Sequence, residues 1–203
     1  MVIRNWHFLP MRFLFYNWLL NFSTSLSRIN PLEDSISRSE IKSQYGRDEL
    51  TGLYDRREME KALQNRYQQT LRNSIPFYIL FVDVDQIGLV NDNYGHLEGD
   101  MELCSVASVL SEVVGDNGTV ARTGGDEFMV CFRNADEEAV KQIMKDIQDK
   151  IDAYNDEMFK PYEMSVSMGY AGCSGQENMI FYVQKATEMA ERSKQTKKRL
   201  NER

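Results

Sequence analysis

Two pairs of acidic residues have the spacing expected of a divalent-cation site. Asp83 and Asp85 close the apolar run Phe77–Val84, and alternate residues of a strand point to the same face of a sheet. A second pair, Asp126 and Glu127, precedes another short apolar run. If the two strands are neighbours, Asp83 and Asp126 converge, and convergent carboxylates suit a hard ion such as Mg²⁺ together with substrate phosphate oxygens. Acids at strand ends can also be solvated by water alone, so the pattern by itself leaves both interpretations open.

A glycine pair, Gly124-Gly125, comes directly before the second acidic pair. It predicts a hairpin turn between two short strands, Thr119–Arg122 and Glu127–Phe132. Glycine permits a positive φ in such a turn and lets the backbone come close to a ligand. Because glycine turns are common, this feature gains its meaning from the acids beside it.

The segment from Asn91 to Asp100 is unusually polar for a stretch between a strand and a helix. Its Asn and Asp side chains could cap helices and make turns. They could instead recognise a nucleobase. A carboxylate accepts hydrogen bonds from the N1–H and exocyclic amine of guanine, which adenine does not offer, and an Asn amide adds a second directional contact.

The elements that must position these groups alternate between helix and strand from about Gly46 onward. Apolar spacing predicts helices over Arg56–Arg72, 98–114, 140–154 and from Met179 onward, and strands over Phe77–Val84, Thr119–Arg122, Glu127–Phe132 and Met164–Ala171. The apolar stripe of the first helix includes Leu63 and Leu71. We therefore predict an α/β fold in which helices cover a mostly antiparallel central sheet.

Charge and cysteine content bear on the partners and the compartment of the protein. The 203 residues include 31 Asp and Glu against 24 Lys and Arg, for a net charge of −7. A broad basic face for nucleic acid is not expected, because phosphate contacts need clustered positive charge. The three cysteines are widely spaced and form no CxxC pair, which favours a reducing compartment such as the cytoplasm.

Residues 1–45 form an N-terminal extension of different composition. The first 30 residues carry three Arg and no acid, and the aromatic run 6–22 could rest peripherally on a membrane surface. Pro10 and Arg12 interrupt that run, which argues against a membrane-spanning helix. The alternative is an extension that packs on its own domain or on a partner. The Ser-rich residues 23–45 are typical of a linker.

Several motifs in register resemble one family. The string Gly124–Phe128 reads GGDEF and is similar to the signature of GGDEF-domain diguanylate cyclases. Asp48–Arg57 resembles the family's opening DxLTGLxNR segment, and 83–100 resembles its DxDxFKxxND..GH..GD block. Ser165–Gly169 resembles the later SxG strand, and 186–198 resembles the closing AD..LYxAKxxGR helix.

The resemblance covers roughly residues 47–199 and implies a fold and a reaction. The implied fold is a single GGDEF domain over 46–203, with the palm-like α/β architecture of nucleotidyl cyclases. The implied reaction condenses two GTP into cyclic di-GMP and two pyrophosphates. A homodimer carries it out, each domain binding one GTP, with Mg²⁺ or Mn²⁺ as the cofactor.

The resemblance also implies roles for individual residues. Asp83 and Asp126 would bind the metal through their carboxylates, and Val84 through its backbone carbonyl. Together with Asp126, the implied catalytic residues are Glu127, which would help to activate the attacking hydroxyl or hold metal, and Arg122, which would stabilise charge at the reacting phosphate. The implied nucleotide contacts are Asn91 and Asp100 for guanine, and Lys194, Lys198, Ile87 and Gly88 for the phosphates.

Two departures from the family pattern bear on activity. Gly88 stands where the family usually has a phosphate-facing Lys, and Lys198 stands at the usual Arg, which gives a point charge instead of a bidentate fork. Two functions follow as alternatives: a slow diguanylate cyclase, or a GTP-binding regulatory module without turnover. The retained metal positions and Glu127 favour the cyclase.

Overall fold

A buried strand at the middle of a four-stranded sheet organises the domain. The structure is a computed structural model that describes residues 46–157 and 160–201. Strand β1 (Phe77–Val84) has seven of its eight residues buried, as its continuous apolar sequence predicts. The other strands are β2 (Gly118–Arg122), β3 (Glu127–Phe132) and β4 (Val166–Cys173). Their order is β2-β3-β1-β4, and every neighbouring pair is antiparallel. The predicted α/β fold with an antiparallel central sheet is confirmed.

Four α-helices pack on the two faces of this sheet, and a fifth lies at one end of it. They are α1 (Arg56–Asn73), α2 (Ile87–Tyr94), α3 (His96–Val114), α4 (Glu137–Glu157) and α5 (Met179–Asn201). Helices α1 and α5 pack against one face, while α3 and α4 pack against the other. Helix α2 lies beside α3 at the end of the sheet where β1 finishes.

The alternation of side chains along β1 decides which helix meets the acids. Leu80, Val82 and Val84 belong to the apolar cluster formed with α3 and α4. Asp83 therefore points to the opposite face, which α5 covers. This placement brings the last turns of α5 over the acidic end of the sheet.

Three local predictions differ from the structure. Leu71, expected on the buried stripe of α1, is 50% exposed, and Thr70 is buried in its place with its hydroxyl bonded to the Ile75 carbonyl. Strand β4 is displaced by two residues from the predicted Met164–Ala171. Helix α2 was not predicted, because its sequence carries weak helix formers and no side chain of the described residues caps its first turn.

Residues 6–22, for which the sequence left membrane contact as the less favoured alternative to packing on protein, lie outside the described residues, as does the linker 23–45. Among the helices of the described ranges, none is both long and apolar enough to cross a membrane.

Candidate active site

The ends of β1 and β3 bring the two acidic pairs together. Asp83 is paired directly with Glu127 in the antiparallel register. One residue further along, the Val84 N–H donates to the Asp126 carbonyl at 2.9 Å. The two strands are thus neighbours, which is the condition for Asp83 and Asp126 to converge. Four of the predicted site residues share one edge of the sheet.

The turn between β2 and β3 uses its glycines differently from the prediction. Neither Gly124 nor Gly125 has a positive φ, so the expected left-handed conformation is wrong. At Gly124 the reason for glycine is space, because a Cβ there would stand 2.5 Å from Oε2 of Glu127. The N–H groups of Thr123 and Gly124 donate to the Glu127 carbonyl at 2.8 and 3.2 Å. Gly124 thus lets the Glu127 carboxylate fold back over the turn.

Crowding and burial of the acids make this edge strongly attractive to a cation. Burial raises the pKa of Asp83 to about 6; Lys194 opposes the rise, and the nearby charges of Asp126 and Asp85 add to it. Burial also raises the pKa of Glu127 to about 7, with Asp126 and Asp83 as further causes. A positive charge placed among these carboxylates would relieve both desolvation and mutual repulsion.

In the structure that positive charge is the ammonium of Lys194 on α5. Lys194 donates to Oδ1 of Asp83, and its Nζ lies 3.9 Å from Oδ1 of Asp85. Burial opposes the charged form of Lys194, but Asp83 outweighs it and raises the pKa of the ammonium. The other oxygen of Asp83, Oδ2, is buried without a hydrogen-bond partner among the described residues. The sequence predicted a phosphate contact for Lys194; in the structure its partner is Asp83.

A glycine on β4 allows α5 to come this close. A Cβ at Gly169 would lie 2.2 Å from the Ala186 carbonyl oxygen and 2.3 Å from the Ala190 nitrogen. Helix α5 therefore rests directly on the strand backbone, and Lys194 follows Ala190 by one helical turn. The close packing at Gly169 determines where the Lys194 ammonium can reach.

A second ion pair, which the sequence did not predict, lies next to the first. Asp85 is only 6% exposed and accepts hydrogen bonds from the hydroxyls of Ser165 and Ser167, at 2.8 Å each. Lys197, three residues after Lys194, lies 3.5 Å from Oδ2 of Asp85 and also donates to the Val166 carbonyl. The signal that could have revealed it is the alternation of two serines at the start of β4, opposite an acid that ends β1.

The Arg122 side chain binds the turn between β2 and β3. Its guanidinium donates to the Gly125 carbonyl at 2.6 Å and forms an ion pair of 3.2 Å with Asp48. Burial raises the pKa of Asp48, but hydrogen bonds from Thr51 and the charge of Arg122 outweigh burial and lower it. Arg122 therefore connects the turn to Asp48 in the opening segment of the domain. Its predicted role at the reacting phosphate stays a prediction.

The predicted guanine contacts lie on α2 and α3. The Asn91 side chain packs so closely on Gly99 that a Cβ there would be 2.1 Å from its Oδ1. Asp100, the next residue of α3, is exposed. Their surroundings are held by a polar cluster in which Lys160 and the Tyr162 hydroxyl donate to Glu98 at 2.6 and 2.7 Å.

Two of the predicted phosphate contacts, Lys194 and Lys198, line a cavity, whereas Ile87 and Gly88 do not. Ile87 and Gly88 form the first turn of α2, and Gly88 has no described atom within 4 Å of the place where a Cβ would stand. A cavity of about 670 Å³ lies beside this turn, and Asp85, Lys194, Lys197 and Lys198 contribute to its wall. Asp83, Asp126 and Glu127 do not line this cavity, so it lies beside the acidic edge and not over it.

Hard oxygen donors at this edge fit Mg²⁺ or Mn²⁺. The predicted donors are the carboxylates of Asp83 and Asp126 and the backbone carbonyl of Val84, and Oδ2 of Asp83 is a buried acceptor without a partner among the described residues. In the described part of the chain, no three His, Cys, Asp or Glu side chains are grouped so as to enclose a metal. Mg²⁺ commonly binds through one or two carboxylates and takes its other ligands from water and substrate phosphates. The residues present fit that arrangement.

Comparison with known proteins shows the family. The profile of the family described as "Diguanylate cyclase, GGDEF domain" matches residues 45–200. The chain belongs to the GGDEF family. The acidic edge and the Gly-Gly turn described above thus lie in a GGDEF domain, and the family resemblance of the sequence is confirmed.

Named relatives agree with this assignment. Diguanylate cyclase DosC from Escherichia coli K12 is 28% identical over 191 residues, which cover 92% of this chain and 41% of DosC. Diguanylate cyclase DgcZ from the same strain is 41% identical over 97 residues, which cover 46% of this chain and 31% of DgcZ. The chain spans less than half the length of these two relatives.

Solved GGDEF domains share the fold. The coiled coil and GGDEF domain of DgcB from Caulobacter crescentus, in complex with c-di-GMP, matches with a TM-score of 0.73 at 20% identity, covering 91% of this chain and 93% of that one. The FimX GGDEF domain from Pseudomonas aeruginosa matches with a TM-score of 0.69 at 18% identity, covering 74% and 94%. At these identities the comparison supports the architecture alone.

Proposed function

We propose that this domain is a diguanylate cyclase that condenses two GTP into cyclic di-GMP and releases two pyrophosphates. The observation that carries the proposal is the gathering of Asp83, Asp126 and Glu127 at one edge of the sheet, beneath the Lys194 ammonium. Three crowded acids are costly without a cation, and a metal-bound triphosphate would supply one. The names of the family and of the relatives support the same reaction.

In the proposed reaction the 3′-hydroxyl of one GTP attacks the α-phosphorus of the other. A new phosphorus–oxygen bond forms, the bond to the β-phosphate breaks, and pyrophosphate leaves; a second such step closes the ring. Glu127 is the candidate acceptor for the hydroxyl proton. When bound, Mg²⁺ or Mn²⁺ would lower the pKa of the hydroxyl and offset charge at the phosphates.

The nucleotide would lie between the acidic edge and the two helices α2 and α3. Asn91 and Asp100 would hold the guanine, because an amide and a carboxylate complement its Watson–Crick edge. Lys198 would hold phosphate together with Lys194. Each domain would carry one GTP, so the active form would be a homodimer of facing copies. The proposal includes a cytoplasmic location, where GTP is available, and no nucleic-acid partner.

The test incubates the purified 203-residue chain with GTP and Mg²⁺ and measures cyclic di-GMP by liquid chromatography and mass spectrometry. Asp126→Ala should lower the rate by roughly 10²–10³-fold, the cost of removing one charge-stabilising group from such a site. The variant should keep its circular dichroism spectrum, because Asp126 lies in a turn.

Two results would contradict the proposal. If Asp126→Ala makes product at the parent rate, the assignment of the metal site is wrong. If the parent chain binds GTP but forms no cyclic di-GMP at any metal concentration, the domain is instead the GTP-binding regulatory module that the sequence left as the alternative.

A further inference from the structure

Helix α5 is fastened to the end of the sheet by two lysine–aspartate pairs of different character. Lys197 has two partners besides Asp85, because it also donates to the Val166 carbonyl and, at 3.2 Å, to the Ser165 hydroxyl. Lys194 has only carboxylates as partners among the described contacts, chiefly Asp83. The Lys197–Asp85 pair is therefore a structural anchor, whereas the contact of Lys194 with the sheet depends on one acid, Asp83.

Asp83 is also the carboxylate on which the proposed metal site depends. Asp83 is 2% exposed, so little water can share the space around its carboxylate. Lys194 engages Oδ1, while Oδ2 lacks a hydrogen-bond partner in the described part of the chain. A divalent ion on the same carboxylate would stand within a few ångströms of the ammonium, and two cations at that separation repel in a poorly hydrated site.

We propose that the Lys194 ammonium occupies the Asp83 carboxylate in place of a divalent metal, so that the metal must compete with it. The phosphates of the nucleotide then complete the exchange by accepting the hydrogen bonds of the displaced ammonium. This inference rests on the proposed function, because it assumes that Asp83 binds the metal. The Lys197–Asp85 anchor keeps α5 in place while Lys194 changes partner. Metal alone then binds weakly, and metal and nucleotide strengthen each other's binding.

The first experiment measures Mn²⁺ binding without nucleotide, using the electron paramagnetic resonance signal of free Mn²⁺ at pH 8.5. Lys194→Gln removes the charge but keeps a donor for Asp83, so the buried carboxylate retains a partner. We expect Lys194→Gln to tighten Mn²⁺ binding about tenfold or more. The matched control, Arg199→Gln, removes a positive charge from an exposed position later on α5 and should leave the dissociation constant within about twofold. Lys194→Arg keeps the cation and should give no tightening.

A second experiment uses the unaltered chain, so it does not depend on the folding of any Lys194 variant. Nuclear magnetic resonance of ¹⁵N-labelled lysine detects ammonium groups that are held in hydrogen bonds. Addition of Mg²⁺ should shift or remove the Lys194 signal and leave the Lys197 signal in place. Asp83→Asn should abolish the response.

The outcomes separate this inference from the function on which it rests. Unchanged or weaker Mn²⁺ binding by folded Lys194→Gln, or a Lys194 ammonium signal that does not respond to bound Mg²⁺, overturns the competition alone. If neither the parent chain nor Lys194→Gln binds Mn²⁺, the metal site itself is wrong, and the proposed cyclase mechanism falls with it.

Discussion

The backbone of α5 touches the strand at Gly169, where an added Cβ would lie 2.2 Å from the Ala186 carbonyl oxygen. A carbonyl in the middle of a helix cannot turn aside as a flexible side chain can. The whole helix would have to lift, and Lys194 would lift with it away from Asp83.

Gly169→Ala should therefore destabilise the domain by about 3 kcal/mol, at the upper end of the usual cost of overpacking. The measurement is urea denaturation followed by circular dichroism. Gly172→Ala on the same strand is the matched control. Its Cβ would meet the ring of Tyr78 at 2.9 Å, a side chain that can move, so its cost should be smaller. Equal stabilities of the two variants would contradict this account of α5 packing.

A buried acid on α3 should make stability depend on pH. Glu102 is 2% exposed, and neither carboxylate oxygen has a hydrogen-bond partner among the described residues. Burial raises its pKa from 4.5 to about 7; the charge of Lys160 opposes the rise, and Glu98 and Asp85 add to it. The folded state thus keeps a proton that the unfolded chain loses near pH 4.5. Stability from this group falls as the pH rises from about 4.5 to 7, and the full penalty is present above pH 7.

Glu102→Met should therefore be more stable than the parent at pH 8, by about 3 kcal/mol, since one pKa unit corresponds to 1.36 kcal/mol. At pH 4.5 the difference should nearly vanish. Urea denaturation at several pH values measures both. Glu98→Gln, one turn earlier, is the opposite case: Lys160 and Tyr162 lower the pKa of Glu98, so its loss should lower stability at pH 8. A pH-independent difference between Glu102→Met and the parent would refute the assignment.

The contact of Asn91 with Gly99 should control base selectivity. Gly99→Ala would bring a methyl group to 2.1 Å from Oδ1 of Asn91, and this flexible side chain would have to turn away. Helix α3 itself should remain stable, because Ala is a better helix former than Gly by about 1 kcal/mol. We expect weaker binding of a non-hydrolysable GTP analogue and a reduced preference over the ATP analogue, measured by isothermal titration calorimetry.

Ser108→Ala, at an exposed position of the same helix, is the control and should leave the preference unchanged. If Gly99→Ala binds both analogues as the parent does, Asn91 does not read the base.

A lysine at position 88 should accelerate the proposed reaction. Gly88 is the second residue of α2 and has no positive φ, and no described atom lies within 4 Å of the place where its Cβ would stand. A cation beside the triphosphate would stabilise charge that develops in the transition state, by analogy with single oxyanion donors worth about 10²-fold or more. Gly88→Lys should thus raise kcat with little change in KM. Gly88→Met adds similar length without charge and should not accelerate turnover. A Gly88→Lys protein that folds but is no faster than the parent would show that the missing cation does not limit the rate of the proposed reaction.

The sequence determined much of this arrangement because the strongest signals were local. The run Phe77–Val84 has no polar interruption before Asp83, and the structure gives β1 those same bounds. The sequence named the consequence of β1 lying beside β3, the convergence of Asp83 and Asp126, and the structure supplies the pairing itself. The site residues on β1 and the β2–β3 turn could thus be named before their geometry was known.

The features that the sequence did not predict depend on tertiary contacts, which leave no local pattern in the sequence. Helix α2 begins after Gln86, whose φ is +59°, and only Val90 of its eight residues is buried, so neither a cap nor a clear apolar stripe announces it. The pairing of Lys194 with Asp83 required the crossing of α5 over Gly169, which no spacing rule encodes. Glu102 sits in an otherwise apolar helix pattern, and its burial becomes visible only once α3 is packed.

The two partners at the centre of the site, Asp83 and Lys194, are 111 residues apart in the chain. As the protein leaves the ribosome, β1, the β2–β3 turn and β4 emerge first, and α5 emerges last. A nascent chain that has paired its strands already holds its acids side by side, but it lacks the lysine that offsets their charge. Docking of α5 joins residues far apart in the chain and relieves this repulsion, so the order of synthesis leaves the acidic edge without its lysine until α5 has docked.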